Sequence, residues 1–327
     1  MTYQPSPEKW REFSKRICRG ETLTRAEALA VLTSHDDDLL HVLAAAFEVR
    51  LHFCGRDVSL HVLHNAKSGQ CPEDCSYCSQ SHAASTDVPR YPLQSVEEIV
   101  AGAHDAAAMQ AIRYCTVISG RQPDKQAMAT ICAAARQIRK ELPRLQICVS
   151  MGLLTDEQAR LLKAAGVNRY NHNLETSPRF YPEICRTHNY TDRLDSAAAA
   201  KRAGLELCSG GLLGMGETLE DRVDLAMALR ELEADSMPVN FLDPRPGTAL
   251  ADQPRMRAMD ALKTMAMFRF VLPDKEIRIA GGREAVLGPL QALALFPANS
   301  MFTNGYLTTA GQGHQDDMTM LAALDLK

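Results

Sequence analysis

The chain has 327 residues, 46% of them hydrophobic, enough for one large domain with a real core or two modest ones. Its formal net charge is −4, and Lys and Arg are scattered among Asp and Glu rather than massed, which argues against nucleic acid as a partner. No apolar run approaches bilayer length, the opening MTYQPSPEKWREF lacks a charged-then-apolar signal, and ten cysteines are too few for a disulfide scaffold; a cytoplasmic chain with reduced thiols and no membrane contact is expected.

From Trp10 to about Arg56 the pattern is helical, with Thr24-Arg-Ala-Glu27 as a capping box. Val58 to His64 alternates polar and apolar residues and reads as the first strand, and the cysteine-rich run CPEDCSYC follows it directly. Ser95-Val-Glu-Glu98 caps a helix reaching about Gln110, and Ile112 to Ile118 is the second strand. Further strands are expected over Leu145 to Ser150, Val167 to Leu174, Leu205 to Ser209, Ser236 to Leu242, Glu276 to Ala280 and Ala298 to Phe302. Between them, Thr155-Asp-Glu-Gln158 opens a helix that ends at Gly166, and Gly204 closes one that starts near Thr191. Thr218-Leu-Glu-Asp221 opens another that ends before Ser236.

Eight strands, each followed by a helix or crossover with no linker-like break, predict an α/β fold: a single (β/α)8 TIM-type barrel over 58–310. An N-terminal helical extension (1–57) precedes it and a C-terminal tail (311–327) follows. An open doubly wound sheet would place a glycine-rich phosphate loop after the first strand, where this chain has cysteines.

Cys71, Cys75 and Cys78 form a C-x3-C-x2-C triplet, one thiolate short of the four that normally enclose an iron–sulfur cube. Thiolates select soft metals and iron–sulfur clusters, and an open coordination position distinguishes a reacting metal from a structural one. Zinc competes for the segment; it would want a nearby fourth ligand, and His82 follows Cys78 closely. Cys115, Cys148, Cys208 and Arg278 fall in mid-strand on the second, third, fifth and seventh strands, where residues at matching height converge inside a barrel. A second cluster fits there, although any one of these cysteines alone reads as a small buried hydrophobe. A protonated guanidinium has no free lone pair, so Arg278 by itself reads as a counter-ion to thiolates.

With these residues goes a longer set: Arg113-Tyr-Cys-Thr, Gln146-Ile-Cys-Val, YNHNLETS from Tyr170, LCSGGLLGMGET from Leu207, PVNFL from Pro238 and IRIAGGRE from Ile277. Over roughly Ala66 to Ala310 the chain resembles the biotin synthase family of the radical S-adenosylmethionine superfamily. The resemblance implies an enzyme that converts dethiobiotin to biotin by radical sulfur insertion. It implies a [4Fe–4S] cluster on Cys71, Cys75 and Cys78 that chelates S-adenosylmethionine and releases a 5′-deoxyadenosyl radical. It also implies a [2Fe–2S] cluster on Cys115, Cys148, Cys208 and Arg278 as sulfur donor, which turns Arg278 from counter-ion into ligand. Breaking unactivated C–H bonds is beyond acid–base groups, so the cofactor supplies reactivity and the protein supplies position. A reduced flavodoxin or ferredoxin-type electron donor and a homodimer are implied as well.

By the same resemblance Asn171, Asn173 and Asn240 offer amides to the ureido ring of dethiobiotin, and Thr308 and Thr309 lie near its carboxylate. Glu175 is placed for the ribose hydroxyls of S-adenosylmethionine, although many relatives carry Asp there; Arg193 matches the partner of the methionyl carboxylate, and Tyr77 the aromatic near adenine. Cys18, Cys54, Cys132 and Cys185 fall outside the ligand positions and read as small core or surface residues, and His172 as a packing residue. The glycines of LCSGGLLGMGET, lacking a Lys-Ser or Lys-Thr ending, read as permitting close backbone approach to a cofactor. A non-catalytic cluster carrier would need no polar barrel interior, and lipoyl synthase would carry a second cysteine-rich motif outside the strands.

Overall fold

The computed structural model describes residues 4, 6–69 and 71–326. Short runs rich in Val, Ile and Leu, buried on both faces, form nine parallel strands: β1 (Ser59–Lys67), β2 (Arg113–Ile118), β3 (Gln146–Ser150), β4 (Arg169–Asn171), β5 (Glu206–Cys208), β6 (Gly211–Leu213), β7 (Ser236–Phe241), β8 (Glu276–Ile279) and β9 (Ser300–Thr303). They pair in the order β5-β4-β3-β2-β1-β9-β8-β7-β6, and Cys208 pairs with Ser236 to join β5 to β7 and close the ring. β5 and β6 both lie against β7 and are halves of one stave, so the closed barrel has the eight staves of a TIM-type fold.

The fifth stave runs further than the strand expected over Leu205 to Ser209, resuming as β6 after an interruption. The interruption falls at Ser209 and Gly210, where a Cβ on Gly210 would overlap the carbonyl of Pro238. A Cβ on Gly211 would stand 2.5 Å from the carbonyl oxygen of Glu175. These glycines therefore let neighbouring backbones meet, a closer role than the approach to a cofactor expected of them. β4 is also shorter than expected. Its ladder stops at Asn171, and Glu175 adopts a left-handed backbone (φ 69°) whose N–H donates to Gly210 O at 3.0 Å and whose carbonyl accepts from Leu212 N at 2.9 Å. A non-glycine residue at positive φ costs energy and persists where surrounding contacts fix it.

The helices are α1 (Pro7–Cys18), α2 (Arg25–Leu32), α3 (Leu39–Cys54), α4 (Val96–Ala108), α5 (Lys125–Glu141), α6 (Asp156–Ala164), α7 (Tyr181–Ile184), α8 (Tyr190–Arg202), α9 (Leu219–Glu231), α10 (Ala258–Val271), α11 (Arg283–Leu287) and α12 (His314–Ala323). Capping boxes at Thr24, Ser95, Thr155 and Thr218 open α2, α4, α6 and α9, as their sequences predict, and Asn189 with Asp192 opens α8 in the same way. Gly166 and Gly204 follow α6 and α8 with φ of 93° and 75°, stopping both helices. None of the helices among the described residues is long and apolar enough to cross a membrane.

The first three helices share one apolar core with the α9–α10 side of the barrel, where Trp10, Phe13 and Phe270 meet edge to face. Arg50 of α3 is fully buried and donates to the carbonyls of Leu295, Arg56 and Asp57, which ties the extension to the chain entering β1. At the other end, α12 is fixed by a fully buried ion pair in which Arg283 Nη2 lies 2.6 Å from Asp317 Oδ1. Asp317→Ala would leave the buried Arg283 with only the partly exposed Glu284 carboxylate 3.3 Å away, and breaking a buried pair costs up to about 3–5 kcal/mol. We expect a denaturant midpoint lowered accordingly; an unchanged midpoint would mean that apolar contacts alone hold α12.

Candidate active site

The segment after β1 curls back on itself through short backbone bonds. Cys71 N donates to Gln80 O (3.2 Å), His82 N to Cys71 O (2.8 Å) and Cys78 N to Cys75 O (3.1 Å), while the Gln80 side chain accepts from Gly69 N (3.0 Å). Cys71, Cys75 and Cys78 consequently border one cavity of about 280 Å³ at the mouth of the barrel. His82, the fourth ligand that a zinc reading would need, is exposed, and its Nδ1 contacts the carbonyl of Glu73 at 3.1 Å. Burial pushes the Cys78 thiol up to about 11 and raises Cys71 in the same direction.

The same cavity is bordered by Tyr77, Asn171, Asn173, Glu175, Arg193 and Asn240. They come from the triplet loop, the end of β4, α8 and β7, and a closed barrel is what lets residues so distant in sequence share one space. Arg193 is buried. Its Nε donates to the Tyr181 hydroxyl, its Nη1 donates to Asn173 O at 2.7 Å and stands 3.8 Å from Glu175 Oε1. Burial raises Glu175 above the usual carboxylate range, partly offset by Arg193. His172 is buried beside Tyr170 but also borders this cavity, so it is not confined to the packing role expected of it. Thr308 and Thr309 do not reach this space. They border an adjoining cavity of similar size that shares Tyr77, Asn173, Glu175 and Asn240 with the first.

Below, Cys115, Cys148, Cys208 and Arg278 line one small inner pocket whose upper wall includes Leu63, Asn171 and Phe302. Register explains the convergence: Leu63, Cys115 and Cys148 are consecutive cross-strand partners on β1, β2 and β3. Asn171 pairs with Cys208 across β4 and β5. Asn171 Nδ2 lies 3.2 Å from Cys208 Sγ, so this amide faces the inner thiols as well as the upper cavity. Arg278 Nη1 lies 3.6 Å from Cys208 Sγ; Nη2 donates to Ser236 Oγ (2.8 Å) and to Glu276. Its Nε has no partner among the described residues. Hydrogen bonding from Cys148 holds Cys115 below the ordinary thiol range, with help from Arg278, while Cys148 is pushed up by that same bond and by burial. Three thiols around one pocket fit a small iron–sulfur cluster in donor chemistry, and Arg278, ion-paired with Glu276, stands beside them as a cation.

Beneath the pocket is a charged layer that sequence reasoning missed. Glu276 lies 3.0 Å from Arg169 and 3.3 Å from His61, and it also bonds Arg278. Burial alone would raise this carboxylate, but His61, Arg278, Arg169 and Arg113 outweigh it and hold it well below its usual range. Glu206 takes Arg169 at 2.8 Å and Arg113 at 3.4 Å. Three guanidiniums thus face two carboxylates, leaving excess positive charge under the thiols, which suits an anionic thiolate cluster. In the sequence these charges sit in alternating strands and look like a solvated face. Arg245 was missed as well. It borders the cavity of Thr308 and Thr309 with Asp243 2.6 Å away, and its signal was its place in Asp243-Pro-Arg-Pro-Gly immediately beyond β7. Cys185, read as a bland core residue, lies 3.8 Å from Cys75, sulfur to sulfur.

Comparison with known proteins identifies the family. Residues 67–229 match the Radical SAM superfamily and residues 238–327 the Biotin and Thiamin Synthesis associated domain. The chain is 48% identical over 312 residues to a biotin synthase of Salinibacter ruber, covering 95% of this chain and 87% of that one. It is 44% identical over 315 residues to a biotin synthase of Bacillus cereus, covering 96% and 95%. Among solved structures, methylornithine synthase superposes with a TM-score of 0.85 at 19% identity, covering 96% of both chains. The FeFe-hydrogenase maturase of Carboxydothermus hydrogenoformans superposes with a TM-score of 0.80 at 20% identity, covering 97% of this chain and 78% of that one. At such identities the structural likeness speaks to the barrel alone.

Proposed function

Since the chain belongs to the biotin synthase family of radical S-adenosylmethionine enzymes, we propose that it converts dethiobiotin to biotin by inserting sulfur between two carbons. The observation that carries this reading is the stacking of two thiol sets in one barrel, Cys71, Cys75 and Cys78 at the mouth and Cys115, Cys148 and Cys208 with Arg278 below. When bound, a [4Fe–4S] cluster on the outer set with S-adenosylmethionine supplies a 5′-deoxyadenosyl radical, and a [2Fe–2S] cluster on the inner set supplies sulfur.

The chain's own residues bind, orient and exclude water. Glu175, buried and raised, accepts hydrogen bonds from ribose hydroxyls, and Tyr77 lies against adenine. Arg193 pairs with the methionyl carboxylate, and its bonds to Asn173 O and Tyr181 keep the guanidinium from swinging away. Asn173 and Asn240 border both upper cavities and offer donors and acceptors to the ureido ring, while Asn171 spans the upper cavity and the inner pocket. The hydroxyls of Thr308 and Thr309 beside the Arg245 guanidinium suit the carboxylate at the far end of dethiobiotin. A cytoplasmic setting, a flavodoxin- or ferredoxin-type reductant and a homodimer belong to the same proposal.

The deciding assay is anaerobic, with dethiobiotin, S-adenosylmethionine and a reductant. Biotin and 5′-deoxyadenosine are expected together; 5′-deoxyadenosine without biotin under saturating dethiobiotin would point to another substrate. Arg193→Lys keeps the charge but loses the planar fork. Loss of a charged hydrogen bond is worth about 1.5–3 kcal/mol. S-adenosylmethionine binding is therefore expected to weaken about ten- to a hundredfold. Equilibrium dialysis of the reconstituted protein measures it, and unchanged affinity would remove Arg193 from the site.

A further inference from the structure

Among the described residues, one cluster of metal-binding side chains shares Cys75 with the outer triplet and adds two residues that the roles above leave unused. Cys185 and His188 lie between α7 and α8, and the ligand atoms of Cys75, Cys185 and His188 all fall within 4.8 Å of one another. All three residues are buried. Cys75 Sγ is 3.8 Å from Cys185 Sγ, and Cys185 Sγ is 3.3 Å from His188 Nδ1. With metal–sulfur bonds of about 2.3 Å and a metal–nitrogen bond of about 2.0 Å, a tetrahedral ion spaces its ligands about 3.8 Å (S to S) and about 3.5 Å (S to N) apart. Thiolates on different corners of an iron–sulfur cube diverge, so a sulfur pair this close suits a single ion instead.

The surroundings fit the same ligand. Tyr181 Oη lies 2.8 Å from His188 Nε2, and that hydroxyl also accepts from Arg193 Nε. Such a hydrogen bond on the far nitrogen orients the ring of a metal-bound histidine. His188 Nδ1 is hydrogen-bonded to the Glu73 carboxylate, so an ion takes over that nitrogen and frees Glu73 to hold a metal-bound water. Asp74 is 3.3 Å from Cys185 Sγ but is already engaged by the backbone N–H groups of Arg186 and Thr187.

We propose that Cys75, Cys185 and His188, with a water beside Glu73, form a tetrahedral site for one thiophilic divalent cation, zinc above all, when the outer cluster is absent. Binding displaces the thiol protons to solvent and needs no redox partner. Because Cys75 belongs to both sets, an ion held here withdraws one ligand from the outer triplet, and ion and cluster exclude each other. That exclusion rests on the cluster role proposed for Cys75; the ion site itself does not.

Cobalt(II) serves as the optical probe, since its tetrahedral thiolate complexes absorb strongly in the visible. The full chain carrying Cys71→Ser, freed of iron under a reductant, is titrated with cobalt alongside the same chain with Cys185→Ala or His188→Gln added. Cys71→Ser, whose triplet cannot compete for the ion, is expected to bind one more thiolate-coordinated cobalt per chain than the double variants Cys71→Ser/Cys185→Ala and Cys71→Ser/His188→Gln. Equal uptake by Cys71→Ser and both double variants overturns the site. Zinc added before iron and sulfide is expected to slow cluster assembly severalfold in wild type and not in Cys185→Ala or His188→Gln. Equal slowing in all three overturns the exclusion. A wild type that assembles no outer cluster even without zinc would sink the proposed function, while the cobalt count would still decide the ion site.

Discussion

Replacing Cys71 or Cys78 with Ala should abolish reductive cleavage of S-adenosylmethionine, with 5′-deoxyadenosine formation falling by more than about a thousandfold, equivalent to ~4 kcal/mol or more of lost transition-state stabilisation. Both thiols border the mouth cavity, and among the described residues no other cysteine besides Cys75 borders it. A triplet that loses one member has two thiolates left, too few to retain an iron–sulfur cube against loss to solvent. Cys75→Ala should fail as completely, even though Cys185 lies 3.8 Å from Cys75, because Cys185 is held by His188 and Asp74 and does not border the cavity that Cys71 and Cys78 border. The change from Cys to Ala removes little volume, and each variant should remain folded by circular dichroism. Cleavage retained above background in Cys71→Ala would remove that thiol from the radical-generating centre.

Cys115→Ala and Cys148→Ala should divide the activity differently, keeping 5′-deoxyadenosine formation within about tenfold of wild type while biotin falls to background. The physical ground is separation. Neither residue borders the mouth cavity, and Leu63, Asn171 and Phe302 stand between the inner pocket and the space above. Cys115 and Cys148 are cross-strand partners sharing a hydrogen bond, so losing either leaves the other buried under the excess charge of Arg113, Arg169 and Arg278. Single-turnover quantification of both products reads the two functions in one experiment. Identical loss in the outer and inner variants would collapse the two centres into one.

The barrel was legible because its strands are short apolar runs between well-signalled helices. The capping boxes at Thr24, Ser95, Thr155 and Thr218 mark helix starts by local chemistry alone, and that chemistry survives in the folded chain. The fifth stave was less legible because its break depends on Gly210 and Gly211 meeting Pro238 and Glu175, contacts made only once the ring closes. The mid-strand cysteines announced themselves as sulfur in apolar runs. Their charged floor did not, since Arg113, Arg169, Glu206 and Glu276 alternate with apolar neighbours as an exposed strand face would. Cys185 and His188 were overlooked for a related reason: Cys-x2-His is unremarkable until Cys75, 110 residues earlier, is brought beside it.

Mössbauer spectroscopy of the full chain, reconstituted anaerobically with iron-57 and sulfide, addresses the two-centre architecture most directly. Two unlike sets of signals are expected, one for a four-iron and one for a two-iron cluster, with the two-iron set missing from Cys115→Ala and the four-iron set missing from Cys71→Ala. A single kind of cluster in the wild-type protein, or both sets lost together in either variant, would contradict the assignment of separate outer and inner iron centres.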